Sequence, residues 1–148
     1  MTLFVVFLFL AIYNAGCMTT LQIQHYGIYP FVGRENFAAY MRANNRAATV
    51  PTILPALSLL LVAVTLVAYR PAFMRPFETA AILGFNLIAL ASTFVWQRRI
   101  QAVAGYDAEK VRTLIATNWI RTAAHLGIAI LAMRILLRVL DTAAAVAP

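Results

Sequence analysis

Residues 114–137 read LIATNWIRTAAHLGIAILAMRILL, an apolar run whose first half carries three polar side chains, Asn118, Arg121 and His125. Its length exceeds the about 20 mostly apolar residues that a membrane-spanning helix needs. A charged side chain at the bilayer centre costs at least about 2.5 kcal/mol, so such residues usually face other helices or a water-filled cavity. The stretch therefore predicts a transmembrane helix whose polar face points into a helix bundle.

The composition of the whole chain supports a membrane location. Of its 148 residues, 63% are hydrophobic and 11% are charged, whereas soluble domains average about 45–50% and about 25%. We expect one integral membrane domain over residues 1–148. In a membrane protein, a net charge of +7 indicates basic residues that set the orientation in the bilayer or contact lipid headgroups, and not binding of nucleic acid. Cys17 is the single cysteine, which excludes an intrachain disulfide and a Cys-x-x-Cys redox motif.

Four segments are apolar and long enough to span a bilayer, at about 3–21, 50–69, 79–96 and 114–137. The first has no Lys or Arg ahead of it, which argues against a cleaved signal peptide. The chain is thus predicted to be all-α, a transmembrane four-helix bundle with up-down topology.

The positions of the basic residues predict the orientation. Four spans place both termini on one side and the two longer connections on the other. The connection side holds Arg34, Arg42, Arg46, Arg98, Arg99, Lys110 and Arg112, and the terminal side holds Arg70, Arg75, Arg134 and Arg138. The positive-inside rule then places the connections in the cytoplasm and both termini outside, in a bacterial inner membrane.

Several local signals predict helices that extend beyond the membrane on the connection side. Asp107 is a good N-cap, and a helix from Ala108 to about Val139 would be roughly 45 Å long against a hydrocarbon core of about 30 Å. Gly105 is a plausible end for the third helix.

The second helix is predicted to begin near Glu35 or Asn36 and to be kinked at Pro51 and Pro55. The preceding stretch, YGIYPFVGREN at residues 26–36, is predicted to be a structured loop over the mouth of the bundle.

The polar residues of the spans follow helical stripes. Asn118, Arg121 and His125 are spaced i, i+3, i+7 and share one face, while Trp119 points elsewhere and suits a membrane interface. The first helix has a matching stripe that ends in Gln22 and His25. Polar residues of all four segments lie toward one membrane face and predict a pocket there. Its candidate lining is His25, Glu35, Arg46, Asn118, Arg121 and His125.

A structural interpretation stands beside this functional one. Asn118 and Arg121 can serve only to tie helices together by hydrogen bonds. Arg42, Arg46 and the two arginines at 98 and 99 can serve only to reach phosphate headgroups.

The residue set limits the chemistry. The sequence has neither a Gly-rich phosphate loop nor an HExxH motif. Different depths of His25 and His125 argue against a shared haem, and a metal bound by these two and Glu35 would require the loop to fold inward. Acid–base chemistry without a metal or cofactor remains. We expect His125, Arg121 and His25 to be catalytic and the substrate to be bound by Asn118, Arg46, Glu35 and Gln22.

Three short motifs resemble the anthrone-oxygenase-like family of small membrane proteins. They are the QHY end of the first helix, the Arg- and Asn-rich start of the second, and NWIRT with Asn118, Arg121 and Thr122. The resemblance implies a four-span fold and oxidation of polyketide anthrones to anthraquinones without an obvious bound cofactor. In that case Arg121 and Asn118 would hold the phenolate and a histidine would take the proton.

Two function classes follow. The first is an oxygenase-like membrane enzyme that acts on an apolar phenolic or quinone-like compound. The alternative is a non-catalytic accessory subunit or a bundle that binds lipid or quinone. Either class is compatible with a homo-oligomer. A transporter would need broken half-helices, and the sequence has no obvious ones.

Overall fold

A computed structural model describes residues 1–97 and 105–146, so the arginines at 98 and 99 lie outside the described residues. Within these ranges the ordered elements are all helical. The α-helices are α1 (Thr2–Thr20), α2 (Phe37–Ala48), α3 (Leu54–Tyr69), α4 (Pro76–Ala91) and α5 (Ala108–Val146).

Short irregular turns continue these α-helices. They are three π-helical turns, Leu21–His25, Thr49–Ile53 and Ser92–Gln97, and one 3-10 helix, Tyr26–Phe31. With them, the described chain has four helices long and apolar enough to cross a membrane: Thr2–Phe31, Phe37–Tyr69, Pro76–Val95 and Ala108–Ala145. This confirms the prediction of four apolar helices of spanning length.

The first helix is longer than predicted. The sequence after residue 25 was expected to form a loop, yet the 3-10 helix extends it to Phe31. Tyr26 and Tyr29 are the reason, because they are almost fully buried against Phe37 and Leu114 in a common cluster. Packing of these rings fixes a helical turn where glycine and proline composition favoured a loop.

The main apolar core joins four helices. Phe7 of α1, Leu59 of α3, Ile82 of α4 and Ile128 of α5 are fully buried in one cluster. α5 packs extensively against α1 and α4, and α1 also packs against α3, whereas α3 and α4 contact each other much less. The weak α3–α4 contact leaves room for a cavity between these two helices.

The two prolines of the second span disturb its backbone without ending it. Pro55 has no N–H, so the Pro51 carbonyl lacks its usual partner four residues on. Side chains of α1 replace that donor: Tyr13 Oη donates to Pro51 O at 3.0 Å and Cys17 Sγ lies 3.6 Å from the same oxygen. Asn14 Nδ2 donates to Pro55 O at 3.2 Å. The helix begins at Phe37, within two residues of the predicted start.

The start of α5 agrees with the sequence. Asp107 Oδ1 accepts hydrogen bonds from the backbone N–H groups of Glu109 at 3.0 Å and Lys110 at 3.2 Å. These bonds, that of Lys110 above all, hold the pKa of the Asp107 carboxyl below its usual range. The predicted end of the third helix at Gly105 involves residues 98–104, which lie outside the described residues.

Candidate functional site

The cavity between the helices, called here the pocket, has a volume of about 550 Å³. Every long helix contributes to its wall, and so does each of the three π-helical turns in the described chain, through His25, Thr52 and Gln97 among others. π-helical turns are rare and occur often at functional sites. Their convergence on one cavity marks the pocket as the candidate site.

One wall of the pocket is apolar and reaches the surface of the helices. It is formed by Leu57 and Leu60 of α3, by Leu90 of α4 and by Phe94 of the π-helical turn that follows α4. Leu57 and Phe94 are each 52% exposed. In a bilayer these side chains would face lipid, so the pocket borders the hydrocarbon along the poorly packed α3–α4 seam.

The opposite side of the pocket carries a guanidinium in a fixed position. Arg121 Nη2 donates to Tyr26 Oη at 3.2 Å, and Tyr26 Oη donates to Gln97 Oε1 at 2.8 Å. Gln97 Nε2 in turn donates to the Leu114 carbonyl at 3.2 Å and to Thr117 Oγ1 at 3.2 Å. This chain of hydrogen bonds orients Arg121 before any ligand arrives.

Two polar atoms in the pocket wall lack a hydrogen-bond partner among the described residues. They are Arg121 Nε and His125 Nδ1, and both are buried. His125 as a whole is only 4% exposed. A buried polar atom without a partner is costly, and such atoms often serve a ligand or water. Among the described residues that line the pocket, Arg121 and His125 are thus the two with an unused, buried hydrogen-bonding nitrogen.

The third polar feature is a group of hydroxyls around His25. Tyr29 Oη lies 3.2 Å from His25 Nε2, and Tyr40 Oη lies 3.4 Å from His25 Nδ1. Asn44 Nδ2 donates to Tyr29 Oη at 3.3 Å. Both imidazole nitrogens of His25 therefore have a tyrosine hydroxyl within hydrogen-bonding distance.

Two predicted substrate contacts bind each other instead. Asn118 Nδ2 donates to Gln22 Oε1 at 2.7 Å, and Gln22 Nε2 donates to the Ile115 carbonyl at 3.3 Å. Both side chains are buried, and neither lines the pocket. Of the predicted stripe on α5, Arg121 and His125 reach the pocket, while Asn118 ties α5 to the first helix.

Two further predicted contacts lie outside the pocket. Glu35 is exposed and accepts a 3.3 Å hydrogen bond from its neighbour Asn36, and Arg46 is exposed on α2. Successive helical residues differ by about 100° in direction, so Asn44 and Asn45 point to the pocket where Arg46 does not. This corrects the predicted lining. No group of three His, Cys, Asp or Glu suited to a metal occurs among residues 1–97 and 105–146.

The hydroxyls of Tyr26, Tyr29 and Tyr40 were not foreseen as part of the site. A usable signal was present, because Tyr29 follows His25 by four positions and Tyr26 by three, and these spacings bring side chains together on a helix. The prediction of a loop over residues 26–36 did not include this helical contact.

Comparison with known proteins does not assign a function to the pocket. Comparison of the chain with protein-family models, with curated proteins and with solved structures finds no match. The functional conclusion therefore depends on the pocket and its chemistry.

Proposed function

We propose that this chain is a small integral membrane enzyme of the anthrone-oxygenase-like type, which binds an apolar phenolic compound in the pocket and oxidises it. One observation carries the proposal. Arg121 and His125 line a cavity of about 550 Å³, and each has a buried nitrogen, Nε and Nδ1 respectively, with no hydrogen-bond partner among the described residues. A flat, greasy molecule with one ionisable oxygen satisfies both its walls and its polar atoms.

The size and polarity of the pocket suit such a ligand. Small-molecule sites typically measure about 300–1,000 Å³ and combine apolar walls with a few placed polar groups. The rings would lie against Leu57, Leu60 and Phe94, and the oxygen would lie at Arg121. A membrane-dissolved compound would arrive through the α3–α4 seam, whose side chains are apolar and exposed.

The reaction proposed is conversion of an anthrone to an anthraquinone by dioxygen. His125 takes a proton from the anthrone, and Arg121 stabilises the negative charge on the phenolate oxygen in a site shielded from water. The anion reacts with O₂ at the ring carbon to give a peroxide anion, and uptake of one proton converts it to a hydroperoxide. Loss of water then leaves the second carbonyl, so one oxygen atom enters the product, the other leaves as water, and no net proton is released.

The proposal includes an arrangement in the membrane. The four helices would run up and down as a bundle with both termini outside, following the distribution of basic residues. Helices of 33 and 38 residues would be about 50–57 Å long against a hydrocarbon core of about 30 Å. The excess would project on the connection side, where His25 and Asn44 bring polar groups to the pocket.

Separate Arg121→Gln and His125→Asn variants test the proposal. In lipid nanodiscs, conversion of anthrone to anthraquinone and consumption of O₂ would be measured together. Each variant should lose at least about 100-fold in rate. Arg134→Gln is the matched control, because Arg134 is an exposed arginine on the same helix and should retain activity.

Two outcomes would contradict the enzyme. Full activity in both Arg121→Gln and His125→Asn would refute the assigned chemistry. Binding of anthrone by the unaltered protein without conversion would instead support the alternative, a bundle that binds lipid or quinone.

A further inference from the structure

The side chains Tyr29, His25 and Tyr40 form a continuous line of hydrogen-bonding groups, called here the relay. Tyr29 Oη and His25 Nε2 are 3.2 Å apart, and His25 Nδ1 and Tyr40 Oη are 3.4 Å apart. The imidazole is held between ring neighbours, edge-on to Tyr29 with centroids 5.2 Å apart and stacked on Tyr40 at 6.0 Å. An imidazole joined to a hydroxyl at each nitrogen can pass a proton through itself.

The relay has a direction set by Asn44. Its Nδ2 group donates to Tyr29 Oη at 3.3 Å, so the Tyr29 hydrogen is available to point at His25 Nε2. A neutral imidazole that accepts at Nε2 carries its hydrogen on Nδ1, which then donates to Tyr40 Oη. In this tautomer all three hydrogens point from Tyr29 towards Tyr40.

The ends of the relay differ in burial. Tyr29 is fully buried and lines the pocket, whereas Tyr40, on α2, is partly exposed and does not line it. The line thus begins at the pocket and ends nearer the surface. Tyr26 offers no such route, because its hydroxyl donates to Gln97 Oε1, and an amide does not readily pass a proton onward.

We infer that Tyr29, His25 and Tyr40 exchange protons between the pocket and the surface, an inference that rests on the proposed function: the proton released when a phenolic ligand ionises leaves through them, and one returns along the same line to the peroxide anion. The Tyr29 oxygen receives a proton from the pocket while its own hydrogen moves to His25 Nε2. The hydrogen on Nδ1 moves to the Tyr40 oxygen, and the Tyr40 hydrogen leaves to water. One proton enters and one leaves, and no group is oxidised or reduced.

Anaerobic mixing with anthrone tests the relay separately from oxidation. Without O₂ the ligand can only bind and ionise, and the anthrolate anion is followed by its absorbance in a stopped-flow instrument. Tyr29→Phe and Tyr40→Phe should each slow ionisation of bound anthrone by roughly 10- to 100-fold, and Tyr40→Phe, which lies outside the pocket lining, should leave the dissociation constant unchanged. Tyr106→Phe is the control, since its ring packs 5.2 Å from Phe37 in the same aromatic cluster and the relay does not include it.

The outcomes separate the relay from the proposed function. Ionisation at the unaltered rate in both Tyr29→Phe and Tyr40→Phe would overturn the relay and leave the proposed function standing. Absence of bound, ionised anthrone in the unaltered protein would overturn both. If Tyr29→Phe does not fold, Tyr40→Phe still tests the relay, because Tyr40 is partly exposed and loss of its hydroxyl should not unfold the protein.

Discussion

The hydrogen bond between Asn118 and Gln22 predicts that Asn118 stabilises the fold and does not touch the substrate. The Asn118 amide donates to Gln22 Oε1 at 2.7 Å, and the two side chains are 0% and 4% exposed. Neither lines the pocket. We therefore expect Asn118→Ala to lower the free energy of unfolding and to leave the affinity for anthrone unchanged.

The size of the effect follows from which atoms lose a partner. Asn118 Oδ1 has none among the described residues, so its removal costs no hydrogen bond. Gln22 Oε1 loses the amide donor, while Gln22 Nε2 keeps the Ile115 carbonyl at 3.3 Å. Hydrogen bonds between membrane helices contribute about 0.6 kcal/mol on average and up to about 1.7. With the small cavity left by truncation, Asn118→Ala should cost about 1–2 kcal/mol.

A double-mutant cycle isolates the bond. Unfolding of Gln22→Ala, Asn118→Ala and the double variant would be followed in mixed micelles by titration with SDS. The coupling energy should be about 0.6–1.7 kcal/mol. A parallel cycle with Gln24→Ala provides the control, since Gln24 is exposed and should show no coupling to Asn118.

Either of two results would refute the structural role of Asn118. One is a coupling energy indistinguishable from that of the Gln24 cycle. The other is a loss of anthrone affinity of more than about tenfold, equivalent to about 1.4 kcal/mol, in a variant whose stability is unaltered. The second result would restore the contact with substrate that the sequence predicted.

Two further predictions concern packing and charge. Gly127→Ala would place a Cβ 2.8 Å from Phe85 Cζ and should destabilise the protein by about 1–3 kcal/mol. Gly84→Ala is the control, because a Cβ there meets nothing within 4 Å. Equal shifts in Tm for the two variants would contradict the prediction. Glu78 is buried and paired with both terminal nitrogens of Arg138, which is partly exposed. Glu78→Gln should therefore lower the free energy of unfolding by about 2–3 kcal/mol, less than the about 3–5 kcal/mol lost when a fully buried ion pair is broken. The double variant Glu78→Gln/Arg138→Met should recover part of this loss. Chemical unfolding of the single and the double variant measures the recovery.

The parts of the fold that the sequence predicted are those governed by apolar length and helical period. Four spanning segments follow from hydropathy because the bilayer penalises polar residues strongly. The cap at Asp107 and the start of α5 follow from local side-chain chemistry. Burial of Asn118 and His125, with Trp119 half exposed, follows from a stripe that repeats every three to four residues.

The sequence did not predict which partner each buried polar group would take. A helical wheel of 3.6 residues per turn places Gln22 and His25 on one stripe, but a π-helical turn over Leu21–His25 changes the register. Gln22 then contacts α5, whereas His25 contacts Tyr40 of α2. Arg46 was assigned to the pocket by composition alone, and composition does not specify which face of α2 is buried.

All three π-helical turns of the described chain contribute residues to the pocket wall. Each departs from regular α-helical hydrogen bonding, and such turns persist mainly where function retains them. Here they border one cavity, through His25, Thr52 and Gln97, whereas the residues of the main apolar core all come from regular α-helix. One residue of these turns serves packing instead, because Gln22 of Leu21–His25 ties the first helix to Asn118 of α5 and does not line the pocket. The irregular backbone of the described chain is therefore concentrated around the pocket, as expected if the pocket is the binding site that we propose.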